Sequence, residues 1–279
     1  MGCEPTIGTD ERARSTPIES ANREAVVLLH GSAGTSALWR DLKSALRPRY
    51  RCIAPDLIGY GASAAWPAGA PFGLDFELCA IDPLLQCCAG KLHVVGYSYG
   101  GVLALHFALA NPARVQTLTL IEPVFFAALR YAGEWDAYSQ FSRIRDDFIS
   151  TLARGDREAA MHRFIDFWMG DDAWERLSAG TRAEMLRIAD KIALDWRASF
   201  AADPGPTGLP GLAARTMLIR GSDSPTPMRC LVDALQALMP GSARLVVAGA
   251  NHLLPLTHAA ALASAVLSHL RVDAERRLQ

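Results

Sequence analysis

Residues 92–110 read LHVVGYSYGGVLALHFALA, and the reading of this stretch decides the fold. LHVV is short, nearly continuous in apolarity and rich in β-branched residues, as a buried strand is. VLALHFALA has the spacing of a helix. Between them, Gly96-Tyr97-Ser98-Tyr99-Gly100-Gly101 fits the pattern G-x-S-x-G in the context it requires, strand then sharp turn then helix. Glycines at 96 and 100 permit a tight turn that holds Ser98 in a strained backbone conformation with its hydroxyl exposed. The helix N-terminus beneath it supplies free N–H groups and a positive dipole end for a developing oxyanion. Ser98 is the candidate nucleophile.

Working outward, similar strand-like runs occur at 25–29 (AVVLL), 51–54 (RCIA), 117–121 (TLTLI), 216–219 (TMLI) and 243–247 (ARLVV). Most segments between them have helical spacing, such as 38–46. Strand alternating with helix predicts an α/β fold with a mostly parallel central sheet of about six strands. One interval differs. From 125 to 214 there is no strand signal, and large aromatics accumulate, among them Trp135, Phe141, Phe148, Phe164, Trp168, Trp174 and Trp196. The breaker-rich DPGPTGLPG at 203–211 closes it like a hinge. The pattern predicts a helical cap over 125–211, inserted into a core made of 24–124 and 212–279, with the aromatics forming mainly the cap's own core. Residues 1–23 read as a polar, disordered leader.

Half of the 279 residues are hydrophobic and the formal net charge is −1, which describes a globular chain with a well-filled core. That balance leaves no electrostatic footprint for nucleic acid or an anionic membrane surface. No apolar run is long enough to span a bilayer, and the N-terminus has no apolar signal core. MGCEPT matches the N-myristoylation pattern, but so short a match arises by chance. None of the cysteines, Cys3, Cys52, Cys79, Cys87, Cys88 and Cys230, has CxxC or Cys/His metal spacing. They read as idle thiols in a reducing cytoplasm.

Three further motifs flank the elbow. His30-Gly31-Ser32-Ala33-Gly34 follows the first strand, and its glycine freedom lets a backbone N–H, that of Ser32, face Ser98. With the Tyr99 N–H it would form a two-donor oxyanion hole. His30 itself reads as a brace of the turn. Pro55-Asp56-Leu57-Ile58-Gly59-Tyr60-Gly61-Ala62-Ser63 reads as loop architecture, with Asp56 accepting from backbone N–H groups. Gly249-Ala250-Asn251-His252 follows the last strand, and strand ends on one sheet edge converge. Among the histidines, His252 is the candidate base and His258 a distant second.

Taken in this order and spacing, HGSAG, PDLIGYGAS, GYSYGG and GANH resemble the α/β-hydrolase superfamily, over essentially residues 24–270. The resemblance implies a central sheet, a nucleophile elbow at Ser98, a base at His252 and a helical cap over the pocket. Two departures stand out. The polar leader leaves little room for the antiparallel hairpin that usually opens this fold, so that first pair is expected to be lost or reduced. The acid is also displaced. Members of the superfamily most often carry it after the strand before the last, as Gly-x-x-Asp with a proline four residues beyond. In LIRGSDSPTP (218–227), counting from Gly221 reaches Ser224, whereas counting back from Pro227 reaches Asp223. A second address in the superfamily lies directly after the strand that follows the elbow helix, and there this chain has Glu122-Pro123. A carboxylate at that strand end has little structural motive of its own, and leaving it buried and unpaired would be costly. Glu122 is favoured as the acid, with Asp223 the alternative.

These residues predict a serine hydrolase of carboxylesterase type. It would cleave a small or medium acyl substrate, an ester or possibly a lactone or thioester, through an acyl-enzyme on Ser98. No metal or organic cofactor is implied. The expected partner is a small-molecule substrate, with no nucleic acid and no membrane, and the expected form is a cytoplasmic monomer or homodimer. A slow-turnover small-molecule receptor on the same fold and a carbon–carbon bond hydrolase are the alternatives.

Overall fold

The computed structural model of the protein describes residues 23–67, 69–212 and 214–276. The expected leader therefore lies outside the described residues, except for Arg23. In chain order the elements are β1 (Ala25–Leu29), α1 (Arg40–Leu46), β2 (Arg51–Ile53), α2 (Leu74–Gln86), β3 (Leu92–Tyr97) and α3 (Tyr99–Ala110). Then come β4 (Val115–Ile121), α4 (Ala127–Ala132), α5 (Trp135–Ala153), α6 (Arg157–Met169), α7 (Ala173–Arg176) and α8 (Ala179–Ala201). The chain closes with β5 (Arg215–Gly221), α9 (Thr226–Leu238), β6 (Ala243–Val247), α10 (Leu254–Thr257) and α11 (Ala259–Arg276).

The strands form one six-stranded sheet in the order β2-β1-β3-β4-β5-β6, every neighbouring pair parallel. No antiparallel strand occurs among the described residues. The near-continuous apolarity of the inner strands has a simple cause, since both of their faces are covered, whereas the edge strands β2 and β6 are partly exposed. Val26 and Leu28 pack with Leu42 and Leu46 of α1 and Leu262 and Val266 of α11. Val27 and Leu29 point the other way, into the cluster that holds Ile81 and Leu85 of α2, Leu103 of α3 and Leu231 of α9. Side chains alternate between faces along a strand, so a strand buried on both sides is apolar at most of its positions, with His93, Thr117, Thr119 and Thr216 as buried polar members.

The chain leaves β1 toward β2 on one side and returns to β3 on the other. The carboxyl ends of β1 and β3 therefore flank the crevice where open α/β sheets receive ligands. The HGSAG turn and the elbow stand side by side there. Between β4 and β5 the described residues hold five α-helices, a short 3-10 helix at Pro206–Gly208 and no strand. The aromatics of this segment divide. Phe141, Phe148 and Trp174 are buried in its interior, while Phe164, Trp168 and Trp196 turn a face to a cavity and Trp135 is 58% exposed. Helical periodicity does not distinguish a side chain that packs against its own helices from one that roofs a cleft, and Phe164, Trp168 and Trp196 do both.

Candidate active site

Ser98 occupies the turn between β3 and α3 with φ +53°, a left-handed conformation that side-chain-bearing residues rarely adopt. The surrounding glycines are dictated by space. A Cβ on Gly100 would fall 2.3 Å from the Leu29 carbonyl oxygen, and one on Gly96 would fall 2.3 Å from that of Gly100. The elbow is tied to the neighbouring strand end, because the Ser98 N–H donates to the Ile121 carbonyl at 3.0 Å.

The Ser98 hydroxyl lies 3.1 Å from His252 Nε2, and His252 Nδ1 lies 2.6 Å from Glu122 Oε2. These residues are 154 and 130 positions apart in the chain, and parallel strands bring them to one edge. His252 is held at two further points, backbone and ring. The Tyr97 hydroxyl donates to the His252 carbonyl at 2.7 Å, and the Trp168 ring of α6 stacks on the imidazole with centroids 4.0 Å apart.

Glu122 is fully buried just past β4, at φ +42°. Its N–H continues the pairing with β5 by donating to the Ile219 carbonyl at 2.9 Å. Its two carboxylate oxygens have separate tasks. Oε2 meets the histidine, while Oε1 accepts from the Gly221 N–H at 2.8 Å and from the Ser224 hydroxyl. Asp223 is not part of this chain of bonds. It is exposed, its carboxylate accepts from the Ser222 hydroxyl at 2.7 Å, and its N–H donates to the Ala250 carbonyl at 2.8 Å. The alternative acid is thus corrected by placement: the 221–225 loop turns Asp223 outward and Ser224 inward. Ser224 stands where the glycine-based count looks for a carboxylate, and it binds the carboxylate that reaches the histidine. His258, the second candidate base, bonds to the neighbouring Thr257 hydroxyl at 2.8 Å.

Ser32 lies in the turn after β1, and Tyr99 is the first residue of α3, where an N–H has no intrahelical partner. The turns that carry them meet at Gly31, on which a Cβ would come 2.8 Å from Ser98 Cβ. His30 braces this turn. Its Nδ1 donates to the Gly31 carbonyl at 2.8 Å and its Nε2 accepts the Leu57 N–H at 2.9 Å, which assigns a neutral tautomer. Burial lowers its pKa to about 4. Asp56 accepts from the N–H groups of Ser36 at 2.6 Å and Ala62 at 2.9 Å. Burial acts to raise its carboxyl, and these bonds outweigh that effect and hold it below the ordinary range.

One part of the site has no forerunner in the sequence reading. Lys191 and Asp195, one turn apart on α8, are buried with Glu77 of α2 and Tyr60. Lys191 Nζ bonds to Asp195 Oδ1 and, at 2.7 Å, to Glu77 Oε1. Asp195 Oδ2 accepts from the Tyr60 hydroxyl at 2.5 Å and from the Ser32 hydroxyl at 2.7 Å. Burial raises the carboxyls of both Asp195 and Glu77 above their ordinary range, against the pull of Lys191. A lysine and an aspartate at i, i+4 read as a surface pair. The available signal was their setting, KIALDW, where both fall on an apolar helix face.

A cavity of about 260 Å³ opens over Ser98, near the lower end of the roughly 300–1,000 Å³ typical of small-ligand sites. Its floor is Ser32, Ser98 and His252, and α6 and α8 roof it with Phe164, Trp168 and Trp196. Among the described residues that line it there is no Lys or Arg.

This fold and this placement of motifs agree with the chain's relationships. The chain belongs to the α/β-hydrolase fold family, whose profile matches residues 24–259. It is similar to Lipase LipV of Mycobacterium tuberculosis, with 37% identity over 99 residues, 35% of this chain and 36% of that protein. It is also similar to the pimeloyl-(acyl-carrier protein) methyl ester esterase of Nitrosomonas europaea, with 30% identity over 173 residues, 60% of this chain and 63% of that protein. The chain thus spans 36% and 63% of the length of these two relatives. Among solved structures it resembles an α/β-hydrolase enzyme from a Medee basin deep-sea metagenome library, at TM-score 0.77 and 15% identity over 96% of this chain and 93% of that one. The enol-lactonase of Burkholderia xenovorans LB400 aligns at TM-score 0.68 and 16% identity over 96% and 95%. At these identities the structural likeness is one of fold. No described helix is long and apolar enough to cross a membrane.

Proposed function

We propose that the protein is a serine hydrolase that cleaves a small or medium, uncharged acyl ester by way of an acyl-enzyme on Ser98. The observation that carries this proposal is the unbroken series Ser98 Oγ, His252 and Glu122, with spacings of 3.1 and 2.6 Å, opening into an apolar cavity. Ser98 Oγ bonds to the acyl carbon while His252 Nε2 takes its proton, and the carbonyl oxygen becomes an oxyanion facing the Ser32 and Tyr99 N–H groups. Collapse breaks the ester C–O bond, and His252 returns the proton to the departing alcohol. Water then repeats the sequence and frees the acid. Glu122 keeps the proton on His252 Nδ1 and stabilises the imidazolium at each step.

The restriction to uncharged substrates comes from the walls. Burying a substrate carboxylate or phosphate without a cationic partner is expensive. Among the described residues, the buried ammonium of Lys191, which bonds Asp195 of the cavity wall, is already shared between two carboxylates. The helices over the cavity serve as its cap and select the acyl chain. The test is a panel of p-nitrophenyl esters of increasing chain length, set beside half-esters of dicarboxylic acids, with fluorophosphonate labelling mapped by mass spectrometry. Neutral esters should turn over, half-esters should be poor substrates, and the label should fall on Ser98. Labelling of another serine, or hydrolysis surviving Ser98→Ala, would overturn the proposal.

A further inference from the structure

The buried group around Lys191 does something that simple packing would not require. Replacing a buried ion network with well-packed apolar residues is often neutral or stabilising, so holding α8 against the core does not explain it. Its geometry ends at one point. Glu77 and Lys191 orient Asp195, and Asp195 Oδ2 accepts the Ser32 hydroxyl at 2.7 Å. Ser32 lies in a turn that needs support. The next residue, Ala33, has φ +60°, a left-handed conformation for a residue with a side chain. Such a residue keeps that conformation only where its surroundings hold it. Within the turn, the Gly34 N–H bonds to the Gly31 carbonyl at 3.0 Å. From outside it, Asp195 of α8 accepts the Ser32 hydroxyl, and the Tyr60 hydroxyl, bonded to the same Asp195 oxygen, stands against Ser32 and Ala33.

We propose that Asp195 is a positioning residue that aims the Ser32 N–H at the oxyanion, so that the oxyanion hole is complete only when α8 is seated on the core. The proposal rests on the reading of Ser98 as nucleophile and of the Ser32 N–H as one of its two oxyanion donors. It makes a distinct claim, that a cap side chain controls the stability of the tetrahedral species through a hydroxyl that touches no reacting atom.

Ser32→Ala keeps the N–H and removes only the tether. With a p-nitrophenyl ester it should lower kcat about tenfold, less than the roughly hundredfold or more that follows outright loss of an oxyanion donor, and leave KM within about twofold. Binding of butylboronic acid, whose adduct with Ser98 is tetrahedral, should weaken by the same factor. Asp195→Ala, which unlike asparagine leaves no atom to bond the Ser32 hydroxyl, should produce the same pattern. The double variant should lose no more than the worse single one, because both changes cut one bond. Should Asp195→Ala fail to fold, the same change made together with Lys191→Met, which removes the ammonium left without its partner, takes its place in the cycle. Unchanged kcat in Ser32→Ala, losses that multiply in the double variant, or a fall in substrate binding with boronate affinity unmoved would overturn the proposal. Hydrolysis that survives Ser98→Ala would instead overturn the proposed function beneath it.

Discussion

Replacing Glu122 by glutamine changes one atom, and its effect follows from the partners of that carboxylate. Oε1 accepts two hydrogen bonds, from the Gly221 N–H and the Ser224 hydroxyl, while Oε2 faces His252 Nδ1. The amide has one accepting end. Turning that end to the histidine would aim the NH2 at the Gly221 N–H in a fully buried place. An unpaired buried donor costs about 1–3 kcal/mol. The carbonyl therefore stays with Gly221 and Ser224, and the NH2 donates to His252 Nδ1. The imidazole must then carry its proton on Nε2, which points at Ser98 and can no longer accept the hydroxyl proton. An inverted tautomer of this kind costs a serine hydrolase about ten-thousandfold in kcat. We expect that loss in Glu122→Gln, with KM within about threefold, since the cavity wall is unchanged. The melting temperature should shift by only a few degrees, because the bonds to Gly221 and Ser224 survive. Asp223→Asn is the control, and its loss should stay within about threefold, since Asp223 bonds only to the neighbouring Ser222 hydroxyl and, through its N–H, to Ala250. Steady-state hydrolysis of a p-nitrophenyl ester by both variants decides the matter. A Glu122→Gln enzyme within tenfold of wild type, or an equal loss in Asp223→Asn, would refute the reasoning.

Ser224→Ala removes one of the two donors to Glu122 Oε1 and should lower kcat about tenfold while the Gly221 bond holds the carboxylate in place; stopped-assay kinetics will show whether kcat alone moves. Trp168→Ala removes the ring that stacks on His252 and roofs the cavity, so the kcat/KM ratio of octanoate to butanoate esters should rise about tenfold or more, and an unchanged chain-length profile would refute the proposal that these helices select the acyl chain. His30 is neutral in the fold, with a pKa of about 4 against an unfolded value of 6.5. As the pH falls the unfolded chain takes up its proton first, so this contribution to stability is complete above pH 6.5 and is lost by about pH 4, to a total of about 3 kcal/mol. Urea midpoints should therefore fall between pH 7 and 4.5, and fall less in His30→Gln.

The sequence was most legible where a residue type had no substitute. Only glycine fits at 96 and 100, so the elbow announces itself. The inner strands declared themselves because a strand covered on both faces has few polar positions to blur the pattern, and the partly exposed edge strands β2 and β6 kept short apolar runs. The partner of His252 was half legible. Glu122 and Asp223 both follow strands on the same edge, and the choice depends on which way a five-residue loop turns, a matter of local backbone direction that neither spacing nor composition records. The Glu77–Lys191–Asp195 group was not legible at all. Its members come from two helices 114 residues apart, and each carries a charge that by itself suggests solvent.

Chain order has a consequence for the making of the molecule. Ser32, Ser98 and Glu122 leave the ribosome first, the aromatic helices follow, and His252 comes last, 130 residues after Glu122. Until that histidine arrives, Ser98 is an ordinary alcohol with nothing to draw off its proton. Under the proposed chemistry the nascent polypeptide stays chemically silent, and reactivity begins only once the segment that screens Ser98 from water has already been synthesised.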